Sequence, residues 1–382
     1  MHLLAPERFA ERAAVHARAL GFAETVMYVV DYGQLLLQPL PGEGVPEREG
    51  LSVEGSVAGQ CYRRVETIRT PGDDGGRRLW VPLLDGVDRL GVVELLTDVA
   101  TDEVEETANA YVSLLAELLT VNHEYTDVFT RLRRRQTMSL AAEIQWELLP
   151  PLTFATDRVV VSGVLEPTYE IGGDSFDYAV NGSSVDVMVL DAVGHGLPAA
   201  LLATAAIGAY RHARRELHDL PDIVAAINRV VAENFAGSQF ATAAVARLDL
   251  DTGQFRWVNA GHPDPLVLRD GAFVRPPVCR PQPPLGLQVG VPEVCDMQLH
   301  PGDRVLVYSD GIVEARSVTG EFFGEERLAD FVLRAGADGD AAPEALRRLM
   351  RNVLEHQGGR LQDDASIVVL EWRTGTPQHL LP

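Results

Sequence analysis

Aspartates in this chain recur in one setting: an apolar strand with an acid at its tip and a small residue beside it. The apolar run 185–190 stops at Asp191 and then turns through Gly194 and Gly196. Gly172-Gly173 lead into Asp174, the run 304–309 ends on Asp310-Gly311, and Asp363-Asp364 open the segment 366–372. A single acid at a strand end more often caps the next turn than holds a metal, so the set carries the argument rather than any one member. Four such tips brought together form an oxygen-only ligand set without Cys or paired His. Such a set suits a hard cation, Mg²⁺ or Mn²⁺, rather than zinc. Two such ions, about 3.5–4 Å apart, can share a bridging carboxylate, lower the pKa of a water between them and stabilise a transferring phosphoryl group. Phosphate monoesters need this help, because enzymes must accelerate their hydrolysis by up to about 10²¹.

The elements that must position these acids follow from the hydrophobic pattern. Residues 185–190 are apolar on both faces, as in a strand covered on both sides. Strands are also expected over 159–165, 241–250, 254–259, 265–268, 304–309 and 366–372, with Ala/Leu-rich helices over 198–216 and 221–235. Two glycines before Asp174 inside a β pattern predict a bulge or a close backbone approach.

The first hundred residues have a different pattern. An amphipathic helix over 2–20 precedes strand-like segments at 24–30 and 34–38 about a turn at Asp31-Tyr32-Gly33. A Gly/Pro/Glu loop over 39–50 leads to a helix near 56–64 and an exposed loop at 70–76, then to a second hairpin from 78–84 and 91–97. This order is that of a small α/β sensor domain. From Val104 a 4,3 alternation follows: Val104, Ala108, Tyr111, Leu115, Leu118, Asn122, Tyr125, Phe129 and Leu132. The stripe predicts either a parallel homodimeric coiled coil, with Asn122 setting register, or a long helix lying on its own domain; its narrowness favours the dimer. The phase fails at Arg133-Arg134-Arg135 and resumes shifted at Met138, Ala141, Ile144, Gln145 and Leu148 before Pro150-Pro151. Such a stutter is suited to passing a rotation between domains.

Length and composition bound the rest. A chain of 382 residues with 46% hydrophobic content supports two or three domains with real cores. Its formal charge of −22 opposes nucleic acid and anionic membranes as partners. Neither a signal peptide nor a membrane span is read, and Cys61, Cys279 and Cys295 follow no zinc or redox spacing. The expectation is a cytoplasmic protein with three reduced thiols.

Two resemblances add to this reading. Residues 5–98 loosely resemble a GAF domain, which would make them a ligand-binding or dimerising sensor; no Cys or His set points to haem or a bilin. Residues 140–372 resemble the metal-dependent PPM-type serine/threonine phosphatases of the SpoIIE/RsbU branch. The resemblance lies in Ile144-Gln145 with Leu148-Leu149-Pro150, Gly172-Gly173-Asp174 with Asp177, Asp191 to Gly196, Asn259 to Pro263, Ser309-Asp310-Gly311 and Asp363 to Ser366. Val193 and Ser366 replace the usual Ser and Thr, and neither change removes a ligand.

The resemblance implies an α+β chain whose C-terminal domain is an α-β-β-α sandwich with two Mn²⁺ or Mg²⁺ ions at one edge of its sheets. Asp191 would bridge the metals with the Ala192 carbonyl nearby, Asp174 would serve one ion, and Asp310 and Asp363 the other. Asp364 would stand behind them. His195 is open between proton donor and turn stabiliser, whereas Asp177 and His262 are expected to be structural. The implied organisation is a sensor over 1–100, a dimerising helical linker over 101–150, a phosphatase domain over 151–375 and a tail over 376–382. The implied substrate is a phosphorylated anti-sigma-factor antagonist, with a signal received at the GAF-like domain. A catalytically silent scaffold that docks a signalling partner is the alternative. A diguanylate-cyclase reading of Gly172–Phe176 fails, because Ser175 stands where that chemistry needs an acid and Asp310 and Asp363 would have no role.

Overall fold

The computed structural model describes residues 6–373 apart from 73–74, 168, 171, 217–218, 236–238, 278, 281, 288, 338–340 and 360. Residues 2–5 of the expected first helix and the tail over 376–382 lie outside the described residues. The chain divides into two compact units that meet in sequence between Thr137 and Met138.

The first unit contains α1 (Phe9–Ala19), β1 (Glu24–Val30), β2 (Leu36–Pro39), β3 (Leu51–Ser52), α2 (Val57–Arg64), β4 (Ile68–Pro71), β5 (Arg77–Asp85), β6 (Asp88–Thr97), α3 (Asp102–His123) and α4 (Val128–Arg133). Its strands form one antiparallel sheet in the order β3-β2-β1-β6-β5-β4. Period-two alternation sends Val26, Tyr28 and Val30 to one face with Ala58, Cys61 and Tyr62 of α2. Met27 and Val29 go to the other face, beneath α1, α3 and α4.

The expected coiled coil is corrected here. Ala108, Tyr111, Leu115 and Phe129 are buried in the core formed with Phe9, Ala13, Met27 and Val93 of the same unit. Their heptad-like spacing therefore covers a sheet rather than a second helix, since a twisted sheet offers the same apolar stripe to a helix as a partner does. Asn122 turns its amide back to the Leu118 carbonyl at 2.7 Å. Nor is the helix continuous, because α3 ends at His123 and α4 at Arg133. At the expected stutter the chain docks instead: the Arg133 guanidinium lies 4.3 Å from the centre of the Tyr32 ring and donates to the Val30 carbonyl at 3.1 Å.

The second unit opens with α5 (Leu140–Leu148), capped by the Ser139 hydroxyl, which accepts from the Ala142 N–H at 3.1 Å. Then follow β7 (Thr153–Ala155), β8 (Val159–Glu166), β9 (Asp174–Asn181), β10 (Ser184–Ala192), α6 (Leu197–Glu216), α7 (Leu220–Asn234), β11 (Ala241–Asp249), β12 (Gln254–Ala260), β13 (Leu266–Arg269), β14 (Ala272–Val274) and β15 (Cys295–Gln298). The unit closes with β16 (Arg304–Tyr308), α8 (Asp310–Val313), α9 (Gly324–Ala337), α10 (Ala342–His356) and β17 (Ala365–Trp372).

One sheet runs β15-β12-β11-β10-β9 and the other β14-β13-β16-β17-β8-β7. Helices α6 and α7 cover the outer face of the first through Met188, Leu190, Val245 and Val258. Helices α9 and α10 cover the second through Leu306, Tyr308, Ile367 and Val369. The result is a four-layered helix-sheet-sheet-helix arrangement. The short strands β7, β14 and β15 and the helices α9 and α10 have no counterpart in the sequence-based expectation.

Cys279 and Cys295 are joined as a disulfide with their Cα atoms 6.0 Å apart, which corrects the expectation of three reduced thiols. Cys295 begins an edge strand, and only the fold of the intervening loop brings Cys279 beside it; their spacing carries no sign of this. Cys61 is free and buried.

The sheets are in close contact where Gly163 of β8 faces Phe176 of β9, for a Cβ at Gly163 would lie 2.4 Å from the ring. Gly163→Ala should therefore lower the stability of this unit by about 1–3 kcal/mol in urea unfolding, the usual cost of overpacking. The added substitution Phe176→Leu should recover part of the loss; a neutral Gly163→Ala would show that the layers are not in contact there.

Candidate active site

The acids come from a strand start, a strand end, the first residue of α8 and the turn before β17, yet they share one edge because the strands carrying them are antiparallel. Asp174 begins β9 and Asp191 lies at the end of β10, and the two are direct register partners. In the second sheet β16 runs out towards Asp310 while β17 starts just after Asp363 and Asp364, and these strands are likewise paired. The four strand tips are thus one end and one beginning in each sheet.

Hydrogen bonds join the sheets at this edge. The Ser309 hydroxyl donates to Asp174 Oδ2 at 2.6 Å and accepts from the Ser366 N–H at 2.9 Å. Asp364 Oδ2 accepts from the N–H groups of Gly172 at 2.6 Å and Gly173 at 2.7 Å. The two glycines make a close approach rather than a bulge: a Cβ at Gly173 would stand 2.0 Å from the Ala192 carbonyl oxygen. Only hydrogen fits there, so the turn and the end of β10 are pressed together.

Burial and mutual repulsion raise the pKa of these carboxyls. Asp174 is held well above the ordinary carboxylate range by desolvation first and then by Asp191 and Asp364, with the Ser309 hydrogen bond working the other way. Asp191 is pushed up to about 7 by desolvation, then by Asp310, Asp363 and Asp364. Asp310 and Asp364 are also raised, again chiefly by desolvation.

These oxygen donors are of the type that hard cations take, and a cation would relieve the repulsion. Ser309 is bonded to one oxygen of Asp174. The acids are near enough to perturb one another without closing around a point: among the described residues, no three His, Cys, Asp or Glu side chains are grouped closely enough to hold an ion. The donor chemistry fits a divalent cation, and the spacing is that of repelling carboxylates.

The other candidates fall outside this constellation. Asp177, buried, pairs with Arg211 at 2.8 Å and Arg214 at 3.0 Å on α6. Arg211 also donates to the Leu148 carbonyl at 2.5 Å, so the end of α5 is tied to α6 and β9. His195 is exposed on the turn after β10. His262 is buried; its Nδ1 shares a hydrogen bond of 2.8 Å with the Thr242 hydroxyl, and burial pushes its pKa down to about 3. Thr242 lies opposite Asp191 in the register, which brings His262 nearer the acidic edge than its turn motif alone suggests. Sequence reasoning gave no role to Ser309 or Thr242. The small polar residue beside Asp310 was the available signal for the first, and nothing local marks the second.

Comparison with known proteins bears on this unit. The chain is similar to the phosphoserine phosphatase RsbU of Bacillus subtilis, with 24% identity over 247 residues, 62% of this chain and 70% of that protein. It is similar to protein IcfG of a Synechocystis species, with 23% identity over 306 residues, 71% of this chain but only 46% of that protein; the chain thus spans less than half the length of this relative. Among solved structures, the RsbU and RsbW domains of a Mycobacterium tuberculosis protein superpose with a TM-score of 0.50 and 28% identity, over 58% of this chain and 63% of that one. The model of the Stage II sporulation protein E (SpoIIE) family matches residues 181–373, slightly more than half of the chain and all of β10 to β17. On that match, the chain belongs to the SpoIIE family, the protein phosphatases that its acidic motifs resemble.

Proposed function

We propose that this chain is a metal-dependent protein serine/threonine phosphatase of a signalling pathway. The observation that carries the reading is the meeting of Asp174, Asp191, Asp310 and Asp363 at one edge of two sheets, with Asp174 clasped across them by Ser309. In this reading Asp174, Asp191, Asp310, Asp363 and the Ala192 carbonyl hold two Mn²⁺ or Mg²⁺ ions. Such ions activate water and offset charge on the transferring phosphoryl group. The protein's own part is positioning: the sheets hold the acids against their repulsion, and Ser309 keeps one oxygen of Asp174 turned away from the site. The favoured substrate is a phosphoserine or phosphothreonine on an anti-sigma-factor antagonist, by analogy with the relatives.

The first unit is proposed as the GAF-like sensor, acting through the helices that follow its sheet, in a homodimer. With the α3 seam buried, the face left for a second copy is the one carrying Leu114 and Val121, with Tyr125 just past its end, all exposed. Among the described residues no helix is long and apolar enough to cross a membrane. A cytoplasmic location is part of the proposal.

Phosphate release from a phosphoserine protein should require Mn²⁺ or Mg²⁺. Asp310→Asn should lower turnover by about 10³, equivalent to about 4 kcal/mol of transition-state stabilisation. Absence of metal-dependent release from the intact chain would favour the scaffold alternative.

Asp191→Asn has a second signature. Removing one of several repelling carboxylates should raise the melting temperature of the metal-free protein, while abolishing the stabilisation that Mn²⁺ gives wild type, about 2.7 kcal/mol at a hundredfold excess over Kd. Undiminished stabilisation of the variant by Mn²⁺ would remove Asp191 from the site. Sedimentation equilibrium should give a dimer that Val121→Glu dissociates; a wild-type monomer would exclude the dimer.

A further inference from the structure

We propose that Asp364 is a positioning residue, one of whose carboxyl oxygens is the fixed hydrogen-bond acceptor around which the backbone of Gly172, Gly173 and Asp174 is wound, so that Asp174 and the Ala192 carbonyl are presented together. The inference rests on the metal-dependent reading above and adds to it a division of work between two adjacent acids.

Three successive N–H groups face one oxygen. Those of Gly172 and Gly173 donate to Asp364 Oδ2 at 2.6 and 2.7 Å, and that of Asp174 stands at 3.4 Å. Consecutive N–H groups converging on a point form an anion-binding nest. Here the accepting oxygen comes from the chain itself, 190 residues further on.

The slot that admits this carboxylate is lined by hydrogen atoms where other residues would have side chains. A Cβ at Gly172 would lie 2.7 Å from Asp364 Oδ2, and one at Gly311 would lie 1.8 Å from the Asp364 carbonyl oxygen. On the far side of the turn, Gly173 rests against the Ala192 carbonyl. The carboxylate thus holds the turn before β9, the turn rests on the end of β10, where the Ala192 N–H donates to the Gly173 carbonyl at 3.1 Å, and the main chain of Asp364 packs against Gly311 at the start of α8.

Asp363 differs from its neighbour. It is exposed, and its Oδ1 accepts only the N–H of Asp364 among the described residues. Asp363 thus remains available to a cation, whereas Asp364 has an oxygen committed to the backbone.

The test uses the full chain as wild type, Asp364→Asn and Asp364→Ala. An Asn side-chain oxygen still accepts from the nest, and Ala leaves it empty. Hydrogen exchange in the metal-free protein should quicken by about tenfold at the amides of 172–174 in Asp364→Ala, with β8 and β12 unchanged, because local opening of this turn no longer breaks those bonds. Mn²⁺ affinity, read from the electron paramagnetic resonance signal of the free ion, should fall by about 10–100-fold in Asp364→Ala and by less than about threefold in Asp364→Asn, the scale expected for residues that orient ligands.

Wild-type exchange and Mn²⁺ affinity in Asp364→Ala would overturn the proposal. So would an Asn variant as weak as the Ala variant, since charge rather than the accepting oxygen would then matter and Asp364 would be a ligand. If Asp364→Ala does not fold, the Asn variant decides by the same affinity criterion. A wild type that binds no Mn²⁺ sinks the metal-dependent reading instead, and the exchange comparison, made without metal, still decides whether the nest depends on Asp364.

Discussion

The second unit depends on holding like charges together at the edge where its two sheets meet. Carboxylates gathered in a partly buried place repel one another and lose hydration, and both effects favour the neutral form. The raised pKa of Asp191 and Asp174 records that cost. What opposes it is a set of short polar contacts across the layers, Ser309 to Asp174 and Asp364 to the backbone of Gly172 and Gly173, backed by an apolar interior that leaves the strands little freedom. A site of this kind is expensive without its cations, and the excess is what a bound cation relieves.

Small residues carry much of the geometry. Gly163 lets the sheets close over Phe176, Gly173 lets the turn rest on the Ala192 carbonyl, and Gly311 lets the start of α8 meet the main chain of Asp364. Each lies beside an element that bears an acid. The acids are therefore set by backbone contacts that tolerate no added carbon atom, which fixes them more firmly than contacts between long side chains would.

The first unit uses its helices differently from the way their sequence pattern suggests. An apolar stripe with heptad-like spacing reports only that one face of a helix is covered. In α3 the cover is the sheet of the same unit, and Arg133 then secures the end of α4 to the β1–β2 turn through Tyr32 and Val30. The exposed Leu114 and Val121 lie on another face of α3, so packing on the sheet and meeting a second copy are compatible.

Sequence alone determined the elements whose signals are local. Residues 185–190 read as a buried strand because both faces are apolar, the acids at 174, 191, 310 and 363 stood out against small neighbours, and the hairpin about Asp31-Tyr32-Gly33 was legible from turn chemistry. Edge strands such as β14 and β15 were not, being too short for a period to emerge. Tertiary structure alone decided what lies opposite what: that Asp174 faces Asp191, that Ser309 reaches across the sheets, that Cys279 meets Cys295, and that the α3 seam faces its own sheet. The physical reason is the same in each case. Periodicity encodes which face of an element is buried, but the partner is chosen by packing among segments far apart in the chain, and no local pattern records that choice.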